Sequence, residues 1–119
     1  MKILYVEDNE VVSDVVLMNL EDTDFDVEVV RDAETAIDLL SRKDYDLLLV
    51  DFHLPKKNGC QLIKELEKDI PIIFLTGDPD TVQASCDGSC PNIHAVIDKQ
   101  DVDQLPGVIQ DVRAKKTIA

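Results

Sequence analysis

Three carboxylates, a hydroxyl and an ammonium stand out in this sequence for the chemistry they could perform together. Glu7 and Asp8 are adjacent near the start, Asp51 directly follows an apolar run, and Thr76 and Lys99 come later. Carboxylates packed together would repel one another and raise each other's pKa unless a cation lay among them. A hard dication with oxygen ligands suits such a cluster, and Mg2+ is the commonest one beside phosphate chemistry.

Once a metal offsets the charge, one of these carboxylates could attack a phosphoryl group. Aspartate is an established covalent nucleophile of this kind, and it needs no general base because it is already ionised. The Lys99 ammonium could hold one phosphoryl oxygen and the Thr76 hydroxyl could donate to another. The residue types alone therefore indicate metal-assisted phosphoryl chemistry, provided that the fold brings them together.

Five short apolar runs predict strands that are buried on both faces, as in a parallel sheet. Glu28 interrupts the second run, which predicts an edge strand. Ligands of open parallel sheets bind beyond the carboxyl ends of the strands, and four of the five runs end at a candidate residue. The runs are Ile3–Val6, Val27–Val30, Leu47–Val50, Ile72–Leu75 and Ala95–Ile97.

Amphipathic stretches between these runs predict helices. Asp32 and Asn58 are expected to cap two of them, and Pro106 is expected in the first turn of the last one. Residues 78–92 predict at most a short helix, because Pro79, Gly88 and Pro91 break the pattern. Alternating strands and helices predict a three-layer α/β sandwich with parallel crossovers. The expected apolar faces are Val12, Val15, Val16 and Leu20; Ala33, Ala36, Ile37 and Leu40; Leu62, Ile63 and Leu66; and Leu105, Val108, Ile109 and Val112.

The composition excludes several classes of function. The chain has 119 residues and 25 acidic side chains against 12 basic ones, for a formal net charge of −13. That field repels phosphate backbones and anionic lipids, so we expect no direct nucleic-acid binding and no membrane insertion. Three cysteines, an odd number, indicate reduced thiols. We therefore expect a cytoplasmic protein with a single domain over residues 1–119.

Four segments of the chain, in order, resemble the response-regulator receiver domain of two-component signalling. They are ILYVEDN, LLLVDFHLPKKNG, FLTGD and AVIDK. The resemblance extends from Lys2 to about Ala114. It implies a (βα)5 flavodoxin-like sandwich whose parallel five-stranded sheet has the order 2-1-3-4-5.

The same resemblance implies a role for each candidate residue. Glu7 and Asp8 match the acidic pair that holds Mg2+ together with Asp51, and the backbone carbonyl of His53 would be the remaining protein ligand. Asp51 matches the aspartate that a sensor histidine kinase or a histidine phosphotransfer protein phosphorylates. The switch hydroxyl and the phosphoryl-binding lysine of the family correspond to Thr76 and Lys99.

The implied function is a phosphoacceptor response regulator of a two-component system or phosphorelay. Such a domain is not an enzyme beyond self-catalysed phosphotransfer and autodephosphorylation. No output domain is expected after Ala114, so the chain would be a single-domain regulator or a piece of a longer one. Its downstream target protein is not implied.

The sequence departs from the family pattern on the face that usually signals. Val96 replaces an aromatic switch residue, Gln100 replaces a proline, and residues 78–92 are short and broken. These changes leave open a second interpretation, a phosphate-independent interaction module (a pseudo-receiver). A haloacid-dehalogenase-type hydrolase is disfavoured, since it needs an acid two residues after the nucleophile, where this chain has His53.

A zinc site is also disfavoured. Cys86, Cys90 and His94 recur every four residues, but structural zinc sites usually have four ligands and this spacing is not a recognised one.

Overall fold

The core of the protein is an all-parallel sheet of five strands in the order β2-β1-β3-β4-β5. The computed structural model describes residues 1–52, 54, 59–66, 70–77 and 93–118. At 59, 60 and 115–118 it describes the backbone only. This confirms the predicted sheet and its order 2-1-3-4-5. The strands are β1 (Lys2–Val6), β2 (Asp26–Val30), β3 (Leu47–Asp51), β4 (Ile72–Thr76) and β5 (Ile93–Asp98).

Helices cover both faces of the sheet and complete the predicted three layers. Buried side chains of α1 and α4 form one core cluster with the sheet. Those of α2 and α3 form a second cluster on the opposite face. Within the described residues, no helix is both long enough and apolar enough to cross a membrane. The helices are α1 (Glu10–Leu20), α2 (Ala33–Arg42), α3 (Gly59–Glu65), a 3₁₀ segment (Lys99–Gln104) and α4 (Leu105–Ile118).

Strand burial follows the sequence pattern. Every residue of β3 and β4 is buried, as continuous apolar runs predict for central parallel strands. β2 lies at the edge of the sheet, which confirms the inference from Glu28. The Glu28 carboxylate accepts a 2.7 Å hydrogen bond from the Tyr45 hydroxyl and lies 3.8 Å from the Lys43 ammonium. An acidic residue is tolerated in this strand because it has partners at the open edge.

Two predicted helix starts are confirmed. Asp32 caps α2, since its side chain accepts a 2.7 Å bond from the Thr35 N–H. α4 begins at Leu105, which places Pro106 in its first turn. The other two expectations, a cap at Asn58 and a short helix within residues 78–92, lie outside the described residues.

One predicted apolar position of α1 is wrong. Val15 is 45% exposed, whereas Ser13, Val16 and Leu20 are buried. An α-helix advances about 100° per residue, so those three side chains share one sector of the helix and Val15 falls well outside it. The packed face of α1 therefore includes Ser13 at its margin and does not include Val15.

Replacing valine by alanine at two positions of α1 tests this packing. Val16→Ala should lower the free energy of unfolding by roughly 2 kcal/mol, because two buried methyl groups are lost and a cavity remains. Val11, which is 72% exposed, provides the matched control. Val11→Ala should be neutral or slightly stabilising, since both changes gain the same helix propensity. Urea unfolding followed by circular dichroism measures both, and equal losses would contradict the assigned face.

Candidate functional site

The register of the sheet brings the candidate residues to one edge. Val6 pairs with Val50, so Glu7 and Asp51 both stand at the carboxyl ends of two hydrogen-bonded strands. Thr76 ends β4 and pairs with Asp98, the last residue of β5. Lys99 follows as the first residue of the 3₁₀ segment. As predicted, the polar residues at the carboxyl ends of four strands lie at the same edge of the sheet.

The charged groups at this edge are in close contact. The Lys99 ammonium lies 3.2 Å from Asp51 Oδ1 and 3.7 Å from Glu7 Oε1. Glu7, Asp8 and Asp51 each offer a carboxylate oxygen, and these oxygens lie within 4.8 Å of one another. Glu7 and Asp51 are buried, at 0% and 2% exposure, whereas Asp8 is exposed. The Lys99 ammonium therefore contacts two buried carboxylates, and an exposed third carboxylate lies close to those two.

Glu7 is the most strongly perturbed acid of the cluster. Burial raises the pKa of its carboxyl from 4.5 to about 7, and the hydrogen bond to Asp51 and the charge of Asp51 add to the rise. The Asn9 N–H, which donates to Oε2 at 3.3 Å, and the nearby Lys99 charge act against it. The cluster thus holds more negative charge than Lys99 alone offsets.

The donor set fits the magnesium ion that the resemblance implies. Its three members within the described part of the chain are carboxylates, the hard oxygen ligands that Mg2+ prefers. Burial is the main cause of the raised pKa of Glu7, and the charge of Asp51, which a dication would offset, adds to it. The carbonyl of His53, the fourth expected ligand, lies outside the described residues.

Thr76 is placed by register at this edge. Its side chain is completely buried at the end of β4. The neighbouring strand pairs Asp51 with Leu75, so Thr76 stands one residue beyond the level of the acidic side chain. The register therefore brings Thr76 to the edge of the sheet that also carries Glu7 and Asp51.

Lys99 is held by a local cap. Asp98 Oδ1 accepts a 2.9 Å hydrogen bond from the Gln100 N–H and so caps the 3₁₀ segment. The receiver pattern has proline at the position of Gln100, and proline has no N–H to donate. Gln100, which replaces the proline of the family pattern, is therefore restrained by a hydrogen bond to Asp98. This bond connects the two residues on either side of Lys99.

Two residues of the site were not predicted from the sequence. The Tyr5 hydroxyl donates to Glu7 Oε1 at 3.3 Å, and the Asn9 side chain caps α1 by accepting from the Val11 and Val12 N–H groups. The signal for Tyr5 was a phenol in an aliphatic strand two residues before an acid, since alternate residues of a strand share a face. For Asn9 it was the residue type at the start of a helical pattern.

His94 has a partner other than a metal. Its Nε2 lies 3.0 Å from Asp111 Oδ2 of α4. Cys86 and Cys90, the other two members of the disfavoured zinc hypothesis, lie outside the described residues.

Comparison with known proteins gives one consistent result. Residues 3–110 match the family model of the response regulator receiver domain. The signal receiver domain of an HD domain-containing protein from Pseudomonas fluorescens Pf-5 is similar, with 25% identity, coverage of 99% of this chain and 98% of that one, and a TM-score of 0.85.

Two further solved structures share the fold. One is the N-terminal domain of a response regulator/sensory box/GGDEF 3-domain protein from Carboxydothermus hydrogenoformans, with 23% identity, 98% coverage of both chains and a TM-score of 0.86. The other is the receiver domain of the Francisella response regulator 1452, with 22% identity, coverage of 97% and 98%, and a TM-score of 0.83. Because the family model matches residues 3–110 of its 119, this chain belongs to the response regulator receiver domain family.

Proposed function

We propose that this receiver domain is a phosphoacceptor that takes a phosphoryl group onto Asp51 from a histidine kinase or a histidine phosphotransfer protein. The observation that carries the proposal is the environment of Asp51. Its carboxylate is buried at the sheet edge, contacts the Lys99 ammonium at 3.2 Å and belongs to a group of three acids suited to a dication. These features support Asp51 as the residue that accepts the phosphoryl group.

The transfer is a displacement at phosphorus. An Asp51 oxygen attacks the phosphoryl group, the P–N bond to the donor imidazole breaks, and the nitrogen keeps the electron pair. Lys99 holds an oxygen of the transferring group and Thr76 donates its hydroxyl to another. Mg2+, bound by Glu7, Asp8 and Asp51, would neutralise charge that otherwise repels the incoming phosphoryl group.

Signalling then depends on the lifetime of the acyl phosphate. Hydrolysis returns the Asp51 carboxylate and inorganic phosphate, so the domain catalyses only its own phosphorylation and dephosphorylation. We place this exchange in the cytoplasm because three cysteines, an odd number, indicate reduced thiols. The net charge of −13 disfavours direct contact with nucleic acid.

A second candidate function, a phosphate-independent interaction module, is favoured by one feature. Val96 pairs with Phe74 in the sheet and packs, partly buried, against the core cluster of α2 and α3. A short aliphatic side chain at this position cannot swing between an inward and an outward state as the family's aromatic residue does. Phosphorylation assays separate the two candidates.

Changing the acceptor tests the proposal directly. Wild-type protein incubated with acetyl phosphate and Mg2+ should gain one phosphoryl group by intact-mass spectrometry, and Asp51→Asn should gain none because its amide is not a nucleophile. Asp14→Asn, which neutralises an exposed acid of α1, is the control and should label fully. Labelling of Asp51→Asn would show that another residue is the acceptor. An unlabelled wild type that still binds Mg2+ would favour the interaction module.

Removing the ammonium tests the role of Lys99. Lys99→Ala should slow labelling by acetyl phosphate by roughly 10²-fold, the usual loss for one preorganised donor to a developing negative charge. Asp51 remains, so the final extent of labelling should be reached at long times. Lys43→Ala removes an exposed ammonium near Glu28 and should leave the rate unchanged. Equal rates for Lys99→Ala and wild type would exclude Lys99 from phosphoryl binding.

Stability without metal should depend on pH through Glu7. Its pKa is higher in the folded state, at about 7, than the usual 4.5, so the folded state binds the proton more tightly. Unfolding free energy should therefore fall as pH rises from about 4.5 to about 7, by roughly 3 kcal/mol at most from this group. Mg2+ should restore it at pH 8, because the ion binds only the folded state.

Asp51→Asn should raise the melting temperature of the metal-free protein at pH 8, since one of the repelling charges is gone. Asp14→Asn controls for the general loss of negative charge. Thermal unfolding in the presence of a chelator measures both variants. A lower melting temperature for Asp51→Asn than for Asp14→Asn would contradict the repulsion between the buried carboxylates.

A further inference from the structure

The hydroxyl of Tyr5 reaches the carboxylate cluster from inside the protein core. Tyr5 lies on β1 two residues before Glu7, so the two side chains share a face of the sheet. The residue is completely buried, and its hydroxyl donates to Glu7 Oε1 at 3.3 Å. Its ring belongs to the core cluster beneath α1 and α4, which includes Val16 and Leu105. A well-packed aromatic ring thus carries one polar atom to the metal site.

Tyr5 can act in this position only as a hydrogen-bond donor. Burial, and then the negative charge of Glu7, raise the pKa of its hydroxyl far above the usual value of 10. What the hydroxyl supplies is a fixed proton that points at one carboxylate oxygen.

The two oxygens of Glu7 are held from different directions. Oε1 receives the Tyr5 hydroxyl and lies 3.7 Å from the Lys99 ammonium, while Oε2 receives the Asn9 N–H at 3.3 Å. Glutamate has one more rotatable bond than aspartate, so its carboxylate needs more restraint to stay in one place.

We infer that Tyr5 is a positioning residue of the magnesium site, whose hydroxyl fixes the Glu7 carboxylate for the ion. The inference rests on the proposed function, because it concerns the same metal. Groups that orient metal ligands typically change metal affinity by 10- to 100-fold when they are removed. Mg2+ demands near-ideal octahedral geometry whereas Ca2+ accepts a flexible one, so loss of the restraint should weaken Mg2+ binding more than Ca2+ binding.

The direct test is Tyr5→Phe, which keeps the ring and removes only the hydroxyl. Isothermal titration at pH 8 should show Mg2+ affinity reduced by about 10-fold and Ca2+ affinity reduced less. Tyr45→Phe is the matched control, because it also removes a hydroxyl that donates to a carboxylate, that of Glu28 at the sheet edge. Tyr45→Phe should bind Mg2+ as wild type does. Unchanged Mg2+ affinity in a folded Tyr5→Phe protein overturns the inference.

A double-mutant cycle separates positioning from packing. In a Glu7→Gln background the Tyr5→Phe change should have no further effect on Mg2+ affinity, because the group that Tyr5 orients no longer ligates as a carboxylate. If Tyr5 merely packs the core, Tyr5→Phe lowers the melting temperature equally with and without Mg2+. It then leaves the affinities for Mg2+ and for Ca2+ unchanged. Equal losses of affinity in the two backgrounds would likewise contradict a role through Glu7.

A third measurement needs no change at Tyr5. The chain has two tyrosines and no tryptophan, so in Tyr45→Phe the near-ultraviolet tyrosine signal comes from Tyr5 alone. Adding Mg2+ should shift that signal, with the same midpoint as calorimetry, because the charge on the acceptor of its hydrogen bond changes. No shift despite Mg2+ binding overturns the inference and leaves the proposed function intact. A wild type that binds no Mg2+ overturns both.

Discussion

Like charges forced together at a sheet edge are the constraint on which this structure depends. Glu7 and Asp51 end adjacent parallel strands, and the pairing of Val6 with Val50 leaves them no freedom to separate. Their side chains are buried, so water screens the repulsion weakly. The Lys99 ammonium lies within 4 Å of both but supplies only one positive charge. Among the described residues, this edge of the sheet therefore carries more negative charge than Lys99 offsets.

The apolar strands make that arrangement possible. β3 is buried at all five positions and lies between β1 and β4, so the backbone that carries Asp51 is fixed on both sides. Helices on both faces of the sheet exclude water from these strands. An acid placed on such a rigid strand keeps its position when its charge is unfavourable, whereas a loop would relax. Stability in the core is therefore what permits electrostatic strain at the rim.

The sequence was sufficient for the parts of the structure that depend on strong, repeated signals. Apolar runs and helical spacing predicted the sheet and its layers, and the residue after each strand identified Glu7, Asp51, Thr76 and Lys99, because parallel strands end at one edge. The order of the strands came from the family resemblance and not from periodicity. Ring packing and the exact sector of a helix depend on neighbours distant in sequence, which is why the exposure of Val15 was not foreseen.

Hydrogen bonds that fix the site were harder to predict, because each depends on the position of a single atom. Asp98 reads as one more acid in a chain with 25 of them, and only the fold shows that its oxygen accepts from the Gln100 N–H. Tyr5 reads as a core aromatic, and only the fold shows that its hydroxyl meets Glu7. In both cases the informative pattern was a polar group beside a recognised residue, at strand or turn spacing.

The Asp98 bond lies at a position where the chain departs from the family pattern. A proline after the lysine restricts the backbone by its ring, whereas Gln100 leaves the backbone free unless its N–H is bound. Asp98 Oδ1 accepts from that N–H, so a hydrogen bond restrains the backbone at Gln100 where the family pattern has a proline ring. A constraint of this kind can open locally, at the cost of one hydrogen bond of about 1 kcal/mol. The backbone that follows Lys99 is therefore held by the side chain of Asp98, the last residue of the preceding strand.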